Sequence, residues 1–241
     1  MASAEQLPFH LVRMPHEQRN VAQKRKEDGM EMRPEAAIYK MTIEEAAQYS
    51  EGYCRLQFPL RYEKAMQFRI HEDRLRCIGA GALLYETLGL EDSDLRTGEH
   101  GKPLADSCDL HFNLSHSGEY IVLATARTPV GVDIERLDRK PGRDPAGLIR
   151  YVAAPEERDW IYQGADDHEQ AKRFLQLWTM KESVVKALGE GLHRELSSFD
   201  VLPLLRGEEV RLDDQTLCGR MEMEDQYALS VCVRKREELV P

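Results

Sequence analysis

The segment Gly131–Glu135 alternates between apolar and acidic residues. Side chains of a β-strand point to opposite faces in turn, so the alternation predicts a strand with Val132 and Ile134 on a core face. Asp133 and Glu135 then share the other face. Two like charges on one face repel each other, and a cation between them would relieve that repulsion. The segment therefore predicts a strand with either a solvated acidic face or a cation site.

A second segment, Trp178–Lys186, reads as a helix on which Glu182 and Lys186 lie four residues apart on one face. By itself such a pair is an ordinary surface ion pair worth ~0.2–0.5 kcal/mol. If the helix meets the strand, Glu182 joins Asp133 and Glu135 as a third carboxylate with lysines beside it. Mg²⁺ is usually held by a few carboxylates together with substrate phosphates. The two segments together predict a site for a hard cation and a phosphate.

The composition excludes several classes of protein. With 41% hydrophobic and 32% charged residues the chain is typical of a soluble globular protein, and its net charge of −10 argues against a nucleic-acid binder. No apolar run approaches the ~18 residues of a membrane span. The N-terminus shows neither an apolar h-region nor a small-residue cleavage site, so we do not expect secretion. The five cysteines are scattered without a CxxC pair, so we expect a cytoplasmic protein with reduced thiols and no zinc site.

One stretch departs from the acidic average. Between Arg55 and Arg76 there are six basic residues against three acidic ones. A locally basic stretch in an acidic chain could meet a small polyanion. The alternative is a solvated helix face, which composition alone favours.

The first half of the chain predicts an α+β arrangement. Residues 1–35 are polar and are expected to form a flexible N-terminal extension. A short strand near Ala37–Met41 precedes a helix with a capping box at Thr42 and Glu45. The pattern then predicts helices over residues 61–70 and from residue 72 to Gly89, followed by a hairpin with strands at 111–115 and 120–126.

The second half repeats this order. Helices are predicted at 155–163 and 168–188, the latter ending at Gly189 and Gly191, and strands at 199–202, 208–212 and 227–234. Residues 119–127 faintly resemble residues 226–234, and each stretch closes one half. The repeat predicts two similar α+β halves joined near residue 129.

These motifs together resemble the 4'-phosphopantetheinyl transferases of the surfactin-synthetase-activating type. The matching stretches, in family order, are Gly101–Pro103, Phe112–Ser117, Gly131–Glu135, and Trp178–Lys186 followed by Gly189–Leu192. The resemblance covers roughly residues 37–234. It implies an α+β fold in which two similar halves, 36–128 and 129–241, form an intramolecular pseudo-dimer with coenzyme A bound between them.

The resemblance also implies a reaction. The serine hydroxyl of an apo acyl or peptidyl carrier protein attacks the β-phosphate of coenzyme A, receives the phosphopantetheine arm and releases adenosine 3',5'-bisphosphate. Mg²⁺ is the implied cofactor, coenzyme A the co-substrate and the carrier the protein partner. No nucleic acid or membrane partner is expected, and two fused halves make a monomer the natural expectation.

Residue by residue, Asp133, Glu135 and Glu182 match the magnesium-ligand positions, and Glu182 is also the candidate base for the serine proton. Asp133, Glu182 and Lys186 are therefore expected to carry catalysis, since metal and lysine charges can neutralise a reacting pyrophosphate. The remaining matches imply contacts with coenzyme A: Arg61, Lys64 and Arg76 at the 3'-phosphate, Lys102 and Pro103 near the adenine, Ser115 and His116 along the coenzyme with His116 near a phosphate, and Lys181 and Lys186 at the phosphates.

Two other functions remain open at this stage. The same cluster could serve a magnesium-dependent hydrolase of coenzyme A-like pyrophosphates, which would need no carrier protein. The fold could also serve as a non-catalytic module that only holds a carrier domain or coenzyme A. The presence of Asp133, Glu135, Glu182 and Lys186 together argues against the second alternative.

Overall fold

A computed structural model describes residues 36–98, 102–137, 145–191, 194–224 and 226–236. The predicted N-terminal extension therefore lies outside the described residues, as do Gly101 and Leu192 of the matching motifs. Within the described residues, no helix is long and apolar enough to cross a membrane.

The N-terminal half places helices against a three-stranded antiparallel sheet of order β1-β5-β4. Its elements are β1 (Ala37–Thr42), α1 (Ile43–Ala46), α2 (Glu51–Gln57), α3 (Pro59–Met66), α4 (His71–Leu88), the short strands β2 (Arg96–Thr97) and β3 (Pro103–Leu104), β4 (His111–Ser117) and β5 (Tyr120–Ala126).

The C-terminal half is built on a second antiparallel sheet, of order β6-β9-β8-β7. Its elements are β6 (Val130–Arg136), α5 (Pro145–Val152), α6 (Pro155–Tyr162), α7 (Asp167–Leu188), α8 (Leu202–Leu205), β7 (Glu209–Leu212), β8 (Gln215–Glu224) and β9 (Tyr227–Arg234). The α+β class predicted from the sequence is confirmed.

Local signals in the sequence set several boundaries. The predicted capping box is present, with Thr42 accepting from the Glu45 N–H and Glu45 accepting from the Thr42 N–H. Gly89 and Gly189 end α4 and α7 in the left-handed conformation, at φ 69° and 78°, which glycine adopts without a steric penalty. The helix predicted over 61–70 instead covers 59–66, because Pro59 occupies its first turn, where no N–H is needed.

The strand predicted at 199–202 is wrong. Residues Leu196–Ser198 form a 3₁₀ turn, and the chain enters α8 at Leu202. Pro203 has no N–H to give to a ladder, and the N–H of Val201 is taken by the buried carboxylate of Glu157 at 2.7 Å. The long strand β8 is not predicted by the sequence at all.

A shared core joins the two halves. Its buried members come from β5 in the first half and from β6 and β9 in the second: Val122, Ala124, Ala126, Val130, Val132, Ile134, Tyr227, Leu229, Val231 and Val233. Val132 and Ile134 thus face a core, as predicted. Tyr120 and Tyr227, which occupy equivalent positions in the faint repeat, make an edge-to-face contact with ring centroids 4.8 Å apart.

Polar side chains of β4 bind the free edge of β6. Backbone N–H groups of alternate β6 residues donate to alternate β4 side chains: Val132 to Asn113 Oδ1 at 2.9 Å, Ile134 to Ser115 Oγ at 3.3 Å, and Arg136 to Ser117 Oγ at 3.3 Å. An unpaired buried N–H is costly, so these bonds make the close approach of the halves tolerable. The polar face of the Phe112–Ser117 motif therefore has a structural role at the seam.

Helix α7 covers the other face of β6 at Gly131, where a side chain has no room. A Cβ at this position would lie 2.0 Å from Ser183 O and 2.4 Å from Ala187 N, both backbone atoms of the helix. We expect Gly131→Ala to lower the free energy of unfolding by about 1–3 kcal/mol, because helix and strand must separate. Urea unfolding measures this.

Gly52→Ala is the matched control. Gly52 lies in α2, and apart from its chain neighbours and the nearby backbone of its own helix no atom lies within 4 Å of the position that an alanine Cβ would take there. Gly52→Ala should therefore raise the free energy of unfolding by roughly 0.5–1 kcal/mol. Equal stability of the two variants would contradict the close packing of α7 on β6.

Candidate active site

The predicted strand and helix do meet, and their charged groups form a connected cluster. Lys186 Nζ on α7 donates to Asp133 Oδ1 on β6 at 2.7 Å and to the Val132 carbonyl at 3.2 Å. Ser115 Oγ on β4 donates to the same Asp133 oxygen at 2.9 Å. Residues from both halves therefore converge on Asp133, which is 5% exposed.

Two carboxylate oxygens of the cluster have no hydrogen-bond partner. Asp133 Oδ2 and Glu182 Oε1 are both buried, and no donor within the described part of the chain reaches them. Buried polar atoms are nearly always satisfied, so each exception calls for an explanation. Burial, together with the charge of Asp133, raises the pKa of Glu182 above its ordinary value, although Lys186 opposes this.

Glu135 lies two residues further along the same face of β6. It is half-buried, and Ser117 Oγ donates to its Oε2 at 2.8 Å. Its charge also contributes to the raised pKa of Glu182. As they stand, the described residues include no group of three or more metal-ligating side chains arranged to hold an ion.

Lys102 ties the first half to the end of helix α7. Its Nζ donates to the Val130 carbonyl at 3.0 Å and to the Lys186 carbonyl at 2.6 Å. Burial, with a smaller contribution from Lys186, lowers the pKa of Lys102 to about 8. The predicted position of Lys102 and Pro103 beside an adenine stays a prediction; these two carbonyls use two of the three protons of the Lys102 ammonium.

The basic residues predicted to meet a 3'-phosphate fall into different settings. Arg76 Nε donates to the Gly118 carbonyl at 2.9 Å, and its Nη1 pairs with Asp73 at 2.5 Å. Desolvation, followed by the charge of Arg76, lowers the pKa of His116, with a smaller contribution from Lys186. Arg76 and His116 are thus close enough to interact electrostatically.

Arg61 and Lys64 lie on α3, the helix that was predicted over residues 61–70. Arg61 forms a two-pronged pair with Asp92, with contacts of 2.7 and 3.0 Å. Lys64 is exposed. Their predicted contacts with the coenzyme stay predictions.

Lys181 does not join the cluster, and its buried position argues against the predicted contact with phosphates. Its side chain is fully buried on the other side of α7, where Nζ contacts Glu157 Oε2 at 2.7 Å. Nζ also donates to the carbonyls of Leu196 at 2.7 Å and Phe199 at 2.5 Å. An ammonium has three protons, and these three acceptors use all of them.

Sequence reasoning missed the partners that orient this site. Glu157 falls within the helix predicted at 155–163 and carries no expected role, yet it is fully buried. Asn113 and Ser117 belong to a recognised motif but also carry no expected role. Asn113, Ser115 and Ser117 are two residues apart in turn, and residues with this spacing share one face of a strand. This spacing could have indicated that the three side chains act together.

The fold and the site define a class: an α+β protein in which buried carboxylates and a lysine meet at a seam between two sheets, suited to a metal and a phosphate. The model of the 4'-phosphopantetheinyl transferase superfamily matches residues 129–232, which include Asp133, Glu182 and Lys186. The chain is 34% identical over 197 residues to the 4'-phosphopantetheinyl transferase Sfp of Bacillus subtilis (strain 168), which covers 76% of this chain and 84% of that protein.

Two further relatives agree. The 4'-phosphopantetheinyl transferase psf-1 of Bacillus pumilus is 36% identical over 153 residues, covering 61% of this chain and 64% of that protein. The phosphopantetheinyl transferase of Thraustochytrium sp. (strain ATCC 26185 / S-3) is 28% identical over 231 residues, covering 83% of this chain and 80% of that protein. The chain belongs to the 4'-phosphopantetheinyl transferase superfamily.

Proposed function

We propose that this transferase moves the 4'-phosphopantetheine arm of coenzyme A to a serine of an apo acyl or peptidyl carrier protein, and that it depends on Mg²⁺. The proposal rests on family membership and on one observation above all. Two buried carboxylate oxygens, Asp133 Oδ2 and Glu182 Oε1, have no hydrogen-bond partner within the described residues. The Lys186 ammonium lies 2.7 Å from the other oxygen of Asp133, Oδ1.

The donor set fits a magnesium ion. Mg²⁺ takes oxygen ligands and is commonly held by one or two carboxylates plus substrate phosphates. Asp133, Glu182 and Glu135 would hold it, and the two unpartnered oxygens would thereby gain a partner. When bound, the ion would supply positive charge to the pyrophosphate oxygens of coenzyme A.

The side chains of the chain supply the remaining chemistry. The carrier serine oxygen attacks the β-phosphorus of coenzyme A, the bond from that phosphorus to the bridging oxygen breaks, and adenosine 3',5'-bisphosphate leaves. Lys186 neutralises charge that develops on the phosphate oxygens. Glu182 accepts the serine proton, and its raised pKa brings it closer to the working range of a general base.

Arg76, Arg61 and Lys64 are proposed to meet the 3'-phosphate, and His116 is proposed to lie near a phosphate of the coenzyme. Arg76 already uses part of its guanidinium on the Gly118 carbonyl and Asp73, so binding would require it to share or exchange those contacts. Ser115 is proposed to orient Asp133 through the 2.9 Å hydrogen bond and to line the coenzyme site.

The wider assignment is proposed in the same way. We place the two halves of a pseudo-dimer at 36–128 and 129–241 and expect a cytoplasmic monomer with no nucleic-acid or membrane partner. All five cysteines are unpaired thiols, in keeping with a reducing compartment. Burial raises the pKa of the Cys54 thiol to about 11, which makes it unreactive at neutral pH.

Mass spectrometry of a carrier domain tests the function directly. The protein would be incubated with coenzyme A, Mg²⁺ and an apo carrier of the fatty-acid or the peptide-synthetase type. We expect the carrier to gain one phosphopantetheine, and a carrier whose acceptor serine is changed to alanine should gain none. Cleavage of coenzyme A without carrier modification would identify a hydrolase instead, and unchanged carriers and coenzyme A would overturn both activities.

Replacing Glu182 with glutamine should stabilise the metal-free protein at neutral pH. Because its folded-state pKa is raised, ionised Glu182 is disfavoured in the folded chain, and its contribution to stability is lost as the pH rises through that pKa. The advantage of Glu182→Gln should therefore be larger at about pH 8 than at about pH 5. Urea unfolding in a chelating buffer measures it at both pH values.

Glu222→Gln is the control for this experiment, because Glu222 is an exposed carboxylate on β8. Glu222→Gln should show no comparable increase in the free energy of unfolding at either pH. A Glu182→Gln variant that is less stable than the wild type at about pH 8 would mean that the ionised carboxylate is well partnered, against the orphaned oxygen.

A further inference from the structure

A cavity of about 500 Å³ is lined by residues of both halves. It is lined by the start of β4, the linker between β5 and β6, the β7–β8 turn and the end of β9. This volume is within the ~300–1,000 Å³ range of small-molecule sites. Asp133, Glu182 and Lys186 are not in its lining. The linker residue Pro129 precedes Asp133 by four residues, roughly 13 Å along an extended strand.

The lining is strongly basic in a chain whose net charge is −10. It contains four cations, Arg127, Arg234, Lys235 and Arg236. Among the described residues of the lining, Asp214 carries a carboxylate. Charges of one sign gathered in a concave surface focus the electrostatic field and attract ions of the opposite sign. This distribution favours an anion with more than one negative charge.

The cations differ in how far they are already engaged. Arg234 Nη1 donates to Gln215 Oε1 at 3.3 Å, and Lys235 pairs with Glu209 at 3.2 Å. Arg127 and Arg236 are exposed, and no described residue forms an ion pair with either of them. The lining thus contains two exposed guanidinium groups that are available to a ligand.

A buried hydroxyl in the same lining also lacks a partner. Thr128 is 9% exposed, and its Oγ1 makes no hydrogen bond within the described residues. A buried, unsatisfied hydroxyl is costly unless something fills its hydrogen-bonding capacity. In the same lining, burial, followed by the charges of Lys102 and Arg234, lowers the pKa of His111. His111 is therefore neutral at physiological pH and can accept or donate one hydrogen bond.

We propose that this cavity is a second anion site, separate from the catalytic cluster, that binds a small phosphate-bearing molecule. Guanidinium groups pair with phosphate oxygens through two parallel hydrogen bonds, and the lining supplies two of them that are not engaged in an ion pair with any described residue, Arg127 and Arg236. Thr128 Oγ1 donates to a further phosphate oxygen deeper in the cavity. None of the lining residues is among the groups proposed to perform the transfer, so we expect binding at this site and the transfer reaction to be separable.

Titration calorimetry with inorganic pyrophosphate tests the proposal on the full chain, with divalent metals removed by a chelator. The wild type should bind pyrophosphate at the cavity. The Arg127→Ala/Arg236→Ala double variant should bind it there at least about tenfold more weakly, since two charged hydrogen-bonding groups are lost. Thr128→Val, which keeps the shape and removes the hydroxyl, should also weaken binding. Arg206→Ala removes an exposed cation outside the cavity and should have no effect.

Lys186→Ala separates this site from the catalytic cluster. Binding that depends on Arg127 and Arg236 should persist in Lys186→Ala, and phosphopantetheine transfer should persist in the Arg127→Ala/Arg236→Ala variant. The same titration with inorganic phosphate and with adenosine 3',5'-bisphosphate tells a site for a free phosphate from one for a nucleotide. No pyrophosphate binding by the wild type, or binding lost only in Lys186→Ala, would overturn the proposal.

Discussion

Asp133→Asn should lower kcat/KM for phosphopantetheine transfer by about a thousandfold or more. The substitution is nearly isosteric. The asparagine carbonyl can still accept from Ser115 and Lys186, which both bind Oδ1 in the wild type at 2.9 and 2.7 Å. The unpartnered Oδ2, in contrast, becomes an amide that can only donate. The variant therefore removes the proposed ligand atom and the negative charge while keeping the local packing.

Carrier modification by mass spectrometry, followed over a range of Mg²⁺ concentrations, measures this effect. Because the ligand is lost rather than weakened, more Mg²⁺ should not restore the rate. Asp133→Ala should behave in the same way, whereas Glu222→Gln, which removes an exposed carboxylate from β8, should have wild-type kinetics. Circular dichroism should be unchanged for Asp133→Asn. Normal turnover by this variant would show that Asp133 is not a metal ligand.

The part of the site that the sequence predicts is the part that depends on periodicity. Alternation placed Asp133 and Glu135 on one face of β6, and helical spacing placed Glu182 beside Lys186. Both patterns are local, so a sequence carries them directly. The contact between the strand and the helix is not a local property, and only the motif order shared with a family predicts it. The lack of space for a Cβ at Gly131 shows how closely α7 packs on β6.

The direction of the Lys181 side chain is not predicted by local spacing. Lys181 is the neighbour of Glu182 in the chain, but adjacent residues on a helix project about 100° apart. Its direction was therefore fixed by burial against Glu157 and not by its place in the motif. The same holds for residues 199–202, whose apolar sequence predicted a strand. The Val201 N–H is taken by Glu157, a partner 44 residues away that no local pattern indicates.

Lys181→Met should lower the free energy of unfolding by about 3–5 kcal/mol, a large part of the total for a single domain. The methionine keeps most of the stem, but it leaves Glu157 fully buried without its counter-charge and leaves the carbonyls of Leu196 and Phe199 without a donor. Urea unfolding measures the loss. Lys172→Met on the same helix, at a half-exposed position, should cost little.

The pH dependence and a double-mutant cycle assign this loss to the pair. Burial already raises the pKa of Glu157, and without the ammonium it should rise further. A raised folded-state pKa gives stability at low pH that is lost as the pH increases, so the deficit of Lys181→Met should be smaller at about pH 5 than at about pH 8. In the double variant with Glu157→Gln, the combined loss should fall short of the sum by ~1 kcal/mol or more.

The same variant also decides between the two roles considered for Lys181. A lysine that supports the fold from within the core should leave the KM for coenzyme A within about threefold of the wild type, when the assay is run at a temperature where the variant is folded. A lysine that binds a phosphate should raise that KM and leave stability almost unchanged. The three short contacts made by the Lys181 ammonium predict the first outcome. A stable variant with a raised KM would return Lys181 to the coenzyme A site.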